Sequence, residues 1–198
     1  MHKKSIAALA AVLLLTSCSP RDFLTRRLAA DLISASNTFT TPLQYLLQTG
    51  VVSNKDYLAP EYLVLQHHGW ISAASAPCPA GLVPPPCWDI LLTPSGVDTV
   101  RALIPADAAD KQSFAIPVAR RELLSITGIT KQGNAADVEF TWRWIPLNEI
   151  GAALYSSDLH SKSTVAFRDY DDGWRLMQSV PRFGQDLDDA LKNSEPAQ

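Results

Sequence analysis

Val138-Glu139-Phe140-Thr141-Trp142-Arg143-Trp144 alternates apolar and polar side chains without a break. A period of two belongs to an extended strand whose residues point to opposite faces in turn, so one face of this strand is buried and the other is wet. Pro146 closes the run, because proline has no N–H to give to a ladder. Residues 147–154 then predict a short helix. Further on, residues 164–170 and 174–178 flank Asp171-Asp172-Gly173, and Asp-Gly between two strand-like runs is a strong hairpin signal. Residues 113–130 supply one more strand, although their apolar positions fit neither face alone. The second part of the chain therefore reads as an antiparallel sheet with one short helix, and the whole as α+β.

Working back toward the N-terminus, Phe23, Leu24, Leu28, Leu32 and Ile33 recur at helical spacing and predict a helix over 22–35. Residues 42–52 suit an extended segment. Ser53 or Asn54 caps a following helix, Pro60 forces a restart before a helix over 61–68, and Gly69 supplies its stop. Residues 70–72 and 88–92 read as two arms of a long hairpin around a proline-rich loop. Thr93 and Pro94 open a helix that runs to about residue 103. The division expected is 1–17 leader, 18–104 helical part with the hairpin, 105–185 antiparallel part with a linker over 104–111, and an acidic tail, 186–198, that frays.

The leader has its own grammar. His2, Lys3 and Lys4 precede an uncharged apolar run from Ile6 to Leu15, about half of the roughly 20 residues a membrane-spanning helix needs. Leu15-Thr16-Ser17-Cys18 at its end resembles the lipobox of bacterial lipoproteins. The resemblance implies that the leader is cut away, that Cys18 carries the lipid and becomes the N-terminus, and that the chain is held by its acyl chains. Each buried CH2 contributes about 0.8 kcal/mol, so several chains together anchor a protein durably. Ser19, in place of aspartate, implies the outer membrane, with the domain facing the periplasm.

Two more resemblances concern shape and class. The helix, Gly69-Trp70-Ile71, the hairpin and Leu92-Thr93-Pro94-Ser95-Gly96 together resemble the helix-and-wing order of winged-helix domains over 53–103. That likeness implies a shape only, because the segment lacks a basic recognition face. Thr141-Trp142-Arg143-Trp144-Ile145-Pro146-Leu147-Asn148-Glu149 and the later Phe167-Arg168-Asp169-Tyr170-Asp171-Asp172-Gly173-Trp174-Arg175 resemble small exported bacterial lipoproteins of uncharacterised function.

Composition narrows the partners. The 198 residues hold 17 Lys and Arg against 20 Asp and Glu. Losing residues 1–17 removes Lys3 and Lys4 and leaves 15 basic against 20 acidic, near −5. A mildly acidic domain argues against nucleic acid or an anionic membrane surface as partner. The membrane is met through the lipid, and a protein or envelope component is the expected partner. With Cys18 committed to lipid, Cys78 and Cys87 remain, and an even pair in an oxidising compartment predicts a disulfide.

No catalytic constellation stands out. His67 and His68 are neighbours that point about 100 degrees apart on a helix, with no ligand at the i+3 or i+4 spacing zinc favours, and His160 is remote. No metal and no cofactor are expected. Ser95 lies at a helix start rather than in a nucleophile elbow, and Asp169, Asp171 and Asp172 depart from a calcium loop because Gly173 and Trp174 fall at the next positions. The aromatic set Phe140, Trp142, Trp144, Phe167 and Trp174 is expected to be mainly core. The alternative is a groove of Trp142, Trp144 and Trp174 with Arg143, Arg168 and Arg175 as polar contacts. The leading expectation is a non-enzymatic, lipid-anchored binding or structural module. An envelope hydrolase with residues drawn from both halves, and an inhibitory or exclusion lipoprotein, are the alternatives.

Overall fold

The computed structural model describes residues 23–79, 85–104, 112–177 and 186–197. The leader with Cys18, residues 105–111 of the expected linker, and Gln178 at the end of the last expected strand lie outside the described residues. In chain order the elements are α1 (Arg26–Ser34), α2 (Asn37–Thr40), β1 (Leu43–Gln48), β2 (Gly50–Ser53), α3 (Asn54–Tyr57), α4 (Pro60–His67), β3 (Ile71–Ala76), β4 (Cys87–Leu92) and α5 (Pro94–Arg101). There follow β5 (Ser113–Gln132), β6 (Ala135–Pro146), α6 (Glu149–Leu154), β7 (His160–Tyr170), β8 (Gly173–Leu176), α7 (Leu187–Lys192) and β9 (Glu195–Pro196). A large antiparallel sheet runs β1-β5-β6-β7-β8, with β9 added on β7, and a small sheet runs β2-β4-β3. The α+β expectation holds.

β5 explains why its own sequence resisted a simple reading. Three register shifts leave Val118, Leu124 and Thr127 as extra residues against its neighbours. A bulge inserts one residue and returns the following side chains to the face they would otherwise leave. Ile116, Arg121, Leu123, Ile126 and Ile129 consequently share one face with Trp144, Trp142, Phe140 and Val138 of β6. The other face is polar. There Glu122 meets Arg143 at 2.7 Å, Glu139 meets Lys162 at 2.9 Å, and Ser125 meets Thr141 at 2.9 Å.

Two apolar layers cover the buried face. The distal layer is made by α1, α2 and α7 and encloses Ile33, Phe39, Phe140, Val165 and Phe167. The proximal layer is made by α4, α6 and the small sheet, around Leu65, Ile71, Ile90, Ile116 and Ile150. The single extended segment expected over 42–52 is two strands in two different sheets, parted at Gly50, whose φ of +81° is readily reached by glycine alone. Because β1 pairs with β5, the boundary drawn between 104 and 105 passes through a shared core.

The described part of the C-terminal tail, residues 186–197, forms α7 and β9 where a frayed end was expected. Asp186 caps α7 by accepting from the Asp189 N–H at 2.8 Å, and Leu187, Ala190 and Leu191 bury one stripe of it, at i, i+3 and i+4. Acidic composition concealed that stripe. The Cys78–Cys87 disulfide is present, with Cα atoms 5.2 Å apart, and ties the end of β3 to the start of β4.

Candidate functional site: an arginine in the seam between two cores

The tryptophan groove that the sequence offered as the alternative to a core is not assembled. Trp142 is 3 % exposed and its indole N–H donates to the buried Ser163 hydroxyl at 3.0 Å. Trp174 is 6 % exposed, inside the distal layer. Arg143 projects to the opposite face, because alternation that turns Trp142 and Trp144 inward turns Arg143 outward, where it is held by Glu122. Arg175 is paired with Asp172 and lies over the Tyr170 ring at 5.0 Å, with Arg168 over the same ring at 5.8 Å. Phe140 and Phe167 are fully buried, as a core reading requires.

Trp144 alone of the three tryptophans is half-buried, and it belongs to a cluster that sequence reasoning missed. The Arg121 guanidinium sits over its ring at 4.5 Å and reaches the Trp142 ring at 5.6 Å. Tyr155, directly after α6, packs against Trp144 at 5.3 Å. Strand register puts Arg121 opposite Trp144, so β5 and β6 bring cation and ring together where the two layers meet. Stacking of this kind offsets part of the cost of removing a cation from water.

Hydrogen bonding to this cation is incomplete. One terminal nitrogen, Nη1, donates to the Thr38 carbonyl at 2.9 Å, while Nε is buried and has no partner among the described residues. No carboxylate among the described residues forms an ion pair with Arg121. Burial accordingly pushes the guanidinium below its ordinary range, against the opposing pull of Asp188. A cleft of about 330 Å3 adjoins it, lined by Ser34, Phe39, Thr40 and residues 120–123 of β5. The one carboxylate on that wall, Glu122, is already engaged by Arg143 through two nitrogens, at 2.7 and 2.8 Å.

The seam continues toward the proximal layer with a second orphan. The Tyr45 hydroxyl is buried without a partner among the described residues. Burial holds it well above the ordinary phenol range, with Tyr62, Glu61 and Tyr155 adding to the effect. Tyr62 is raised as well, chiefly by burial, although its hydroxyl both accepts from the Gln48 N–H and donates to the Gln48 carbonyl, each at 3.0 Å.

The remaining candidates are apart from this seam. His68 stacks on Trp70 at 4.8 Å, nearly parallel, with His67 edge-on to it at 5.9 Å, and His160 stands on β7 opposite Arg143. Among the described residues no group of three His, Cys, Asp or Glu side chains is placed to hold a metal ion. Ser95 lies in the first turn of α5, whose cap is the Thr93 hydroxyl. No helix among the described residues is long and apolar enough to cross a membrane. In comparison with known proteins, the chain matches no family model, no curated protein and no solved structure.

Proposed function

We propose that this chain is a lipid-anchored envelope protein, tethered through Cys18 to the outer membrane and facing the periplasm, that acts by binding rather than by transforming a substrate. One observation carries the reading. Cys78 and Cys87 are paired with each other, so the third cysteine, Cys18, stands outside that bond, directly after the apolar run and the small pair Thr16-Ser17. A disulfide belongs to an oxidising compartment, which is where a lipobox leader delivers its cargo. For the binding role, the support is the cleft at Arg121, where a cation has hydrogen-bonding capacity left over.

The winged-helix likeness is retained as a proposal of shape. Strand, two helices, then a hairpin, in a sheet ordered β2-β4-β3, supports it. The helix in the recognition position, α4, carries Glu61 and neither Lys nor Arg, so the shape serves something other than a phosphate backbone.

Mass spectrometry of the chain purified from membranes tests the anchor. The expected product begins at Cys18 with acyl chains attached, and Cys18→Ala moves the protein out of the membrane fraction or leaves the leader uncut. An unmodified cysteine at position 18 in a membrane-derived product overturns the proposal.

A further inference from the structure

We infer that Arg121 is the anchor of a binding site for a small organic oxyanion, a carboxylate or phosphate carried on an apolar body. The inference deepens the binding role proposed above and rests on it, but it does not depend on the lipid.

The guanidinium has donors left to give. The group is planar, with five N–H donors in a fixed fork. Nη1 is used by Thr38, while Nε, which shares one edge of the planar group with Nη2, has no partner among the described residues. Two parallel N–H groups match the two oxygens of one carboxylate or phosphate. A half-buried arginine with no carboxylate among the described residues in direct contact, and only Asp188 acting on it from a distance, is costly to maintain for structure alone, since an apolar residue of similar volume fills the same space without the desolvation cost. An anion arriving from outside supplies the direct pairing that no carboxylate among the described residues gives.

The surroundings set the ligand's character. Arg120 adds a second cation to the cleft and Glu122 is neutralised by Arg143, so the wall is positive within a chain of net negative charge. Phe39 and Leu123 contribute apolar surface beside the charge, and Ser34 and Thr40 contribute hydroxyls. The volume, about 330 Å3, lies at the lower end for ligand pockets and fits one ring or one terminal residue. Nε is shut off from solvent here, so engagement needs the long side chain to turn a little toward the cleft, and the Thr38 bond is the single hydrogen bond in the way. Lysine has no such fork, which makes Arg121→Lys a sharp comparison.

The test uses the full chain, labelled with nitrogen-15 and purified in non-ionic detergent, with the Arg121 Nε–H resonance as readout in chains that keep Arg121 and the backbone amides of Thr40 and Leu123, which line the cleft, as readout in every chain. Benzoate, phenyl phosphate and the neutral benzamide are the probes. Both anions are expected to shift that resonance saturably, with a midpoint on the order of 1 mM, while benzamide leaves it in place. Tighter binding of benzoate assigns a carboxylate ligand, and tighter binding of phenyl phosphate assigns a phosphate. Arg121→Lys should weaken binding about tenfold, as expected for loss of a charge-assisted pair of bonds. Arg120→Gln, at an exposed position that the fold does not use, should weaken it about threefold through charge alone. The inference is overturned if neither anion shifts the resonance in the wild-type chain, or if benzamide shifts it equally. Unchanged anion affinity in a folded Arg121→Lys protein overturns it too. Because the first readout needs no variant, the wild-type titration still decides the matter if Arg121→Lys fails to fold. A normally lipidated Cys18 alongside a silent resonance separates this inference from the anchor.

Discussion

The distal and proximal layers cover the same face of one sheet by different means. Distal contacts come from neighbouring long strands, β5, β6 and β7, whose alternation places Phe140, Val138 and Phe167 inward, with amphipathic helices laid across them. Proximal contacts are gathered from short segments between Leu47 and Ile150, and they depend on backbones that touch. Gly151 of α6 shows how close they come. A Cβ built there would lie 1.8 Å from the Val118 carbonyl oxygen, at the extra residue of the first β5 bulge. The first construction meets through side chains, and the second, at Gly151, through backbone. Between them lies the seam, where Arg121 and Tyr45 each keep an unpaired polar atom.

The largest expected effect comes from removing a distal anchor. Phe140 has no exposed surface, and Phe140→Ala should cost about 4 kcal/mol, as loss of a buried ring generally does. The value follows from urea denaturation monitored by tryptophan fluorescence and by far-UV circular dichroism. Because β1 and β5 join both layers, the two probes should move together to a single lower midpoint. If amide protection at Ile71 and Ile90 survived while the fluorescence transition fell, the layers would be separate folding units and the comparison would break.

Gly151→Ala should follow at about 3 kcal/mol, large for the addition of one methyl group, because the obstacle is backbone rather than a side chain that can turn away. The Leu147 N–H, which donates to the same Val118 carbonyl at 3.0 Å, should lose hydrogen-exchange protection first. Protection there that is unchanged, with wild-type stability, would show that α6 can lift off β5 freely.

These sites also mark where the sequence was readable. Alternation from Val138 to Trp144 identified β6, its buried face and its outward Arg143, and Asp172-Gly173 identified the turn before β8. The cysteine pair followed from parity. Arg121 could not be placed, since its face is set by a bulge at Val118, and a bulge leaves no mark in side-chain periodicity. The helix over 187–192 was hidden for another reason: Asp186, Asp188 and Asp189 dominate its composition, although Leu187, Ala190 and Leu191 carry the helical spacing. Pairing between β1 and β5 joins residues some 70 positions apart, for example Leu47 with Phe114, and no local pattern encodes that.

The smallest effect expected is a gain, and it probes the seam itself. Tyr45→Phe removes a buried hydroxyl that has no partner, and should stabilise the protein by about 1 kcal/mol at neutral pH, because only the desolvation cost is lost. Its pH dependence gives a second, independent handle. The folded state holds the Tyr45 proton above the usual phenol range, whereas in the unfolded chain the phenol ionises near pH 10. Stability from this group is thus complete below about pH 10 and falls as pH rises further, by about 1.4 kcal/mol per pH unit for each such tyrosine. Tyr62 and Tyr155 are raised too and add to the same alkaline loss. Denaturation midpoints of the two proteins should therefore diverge between about pH 10 and 12, with Tyr45→Phe holding its stability the better. A parallel loss in both would mean that the hydroxyl reaches water in the folded chain, and that Arg121 alone carries unmet hydrogen-bonding demand in the seam.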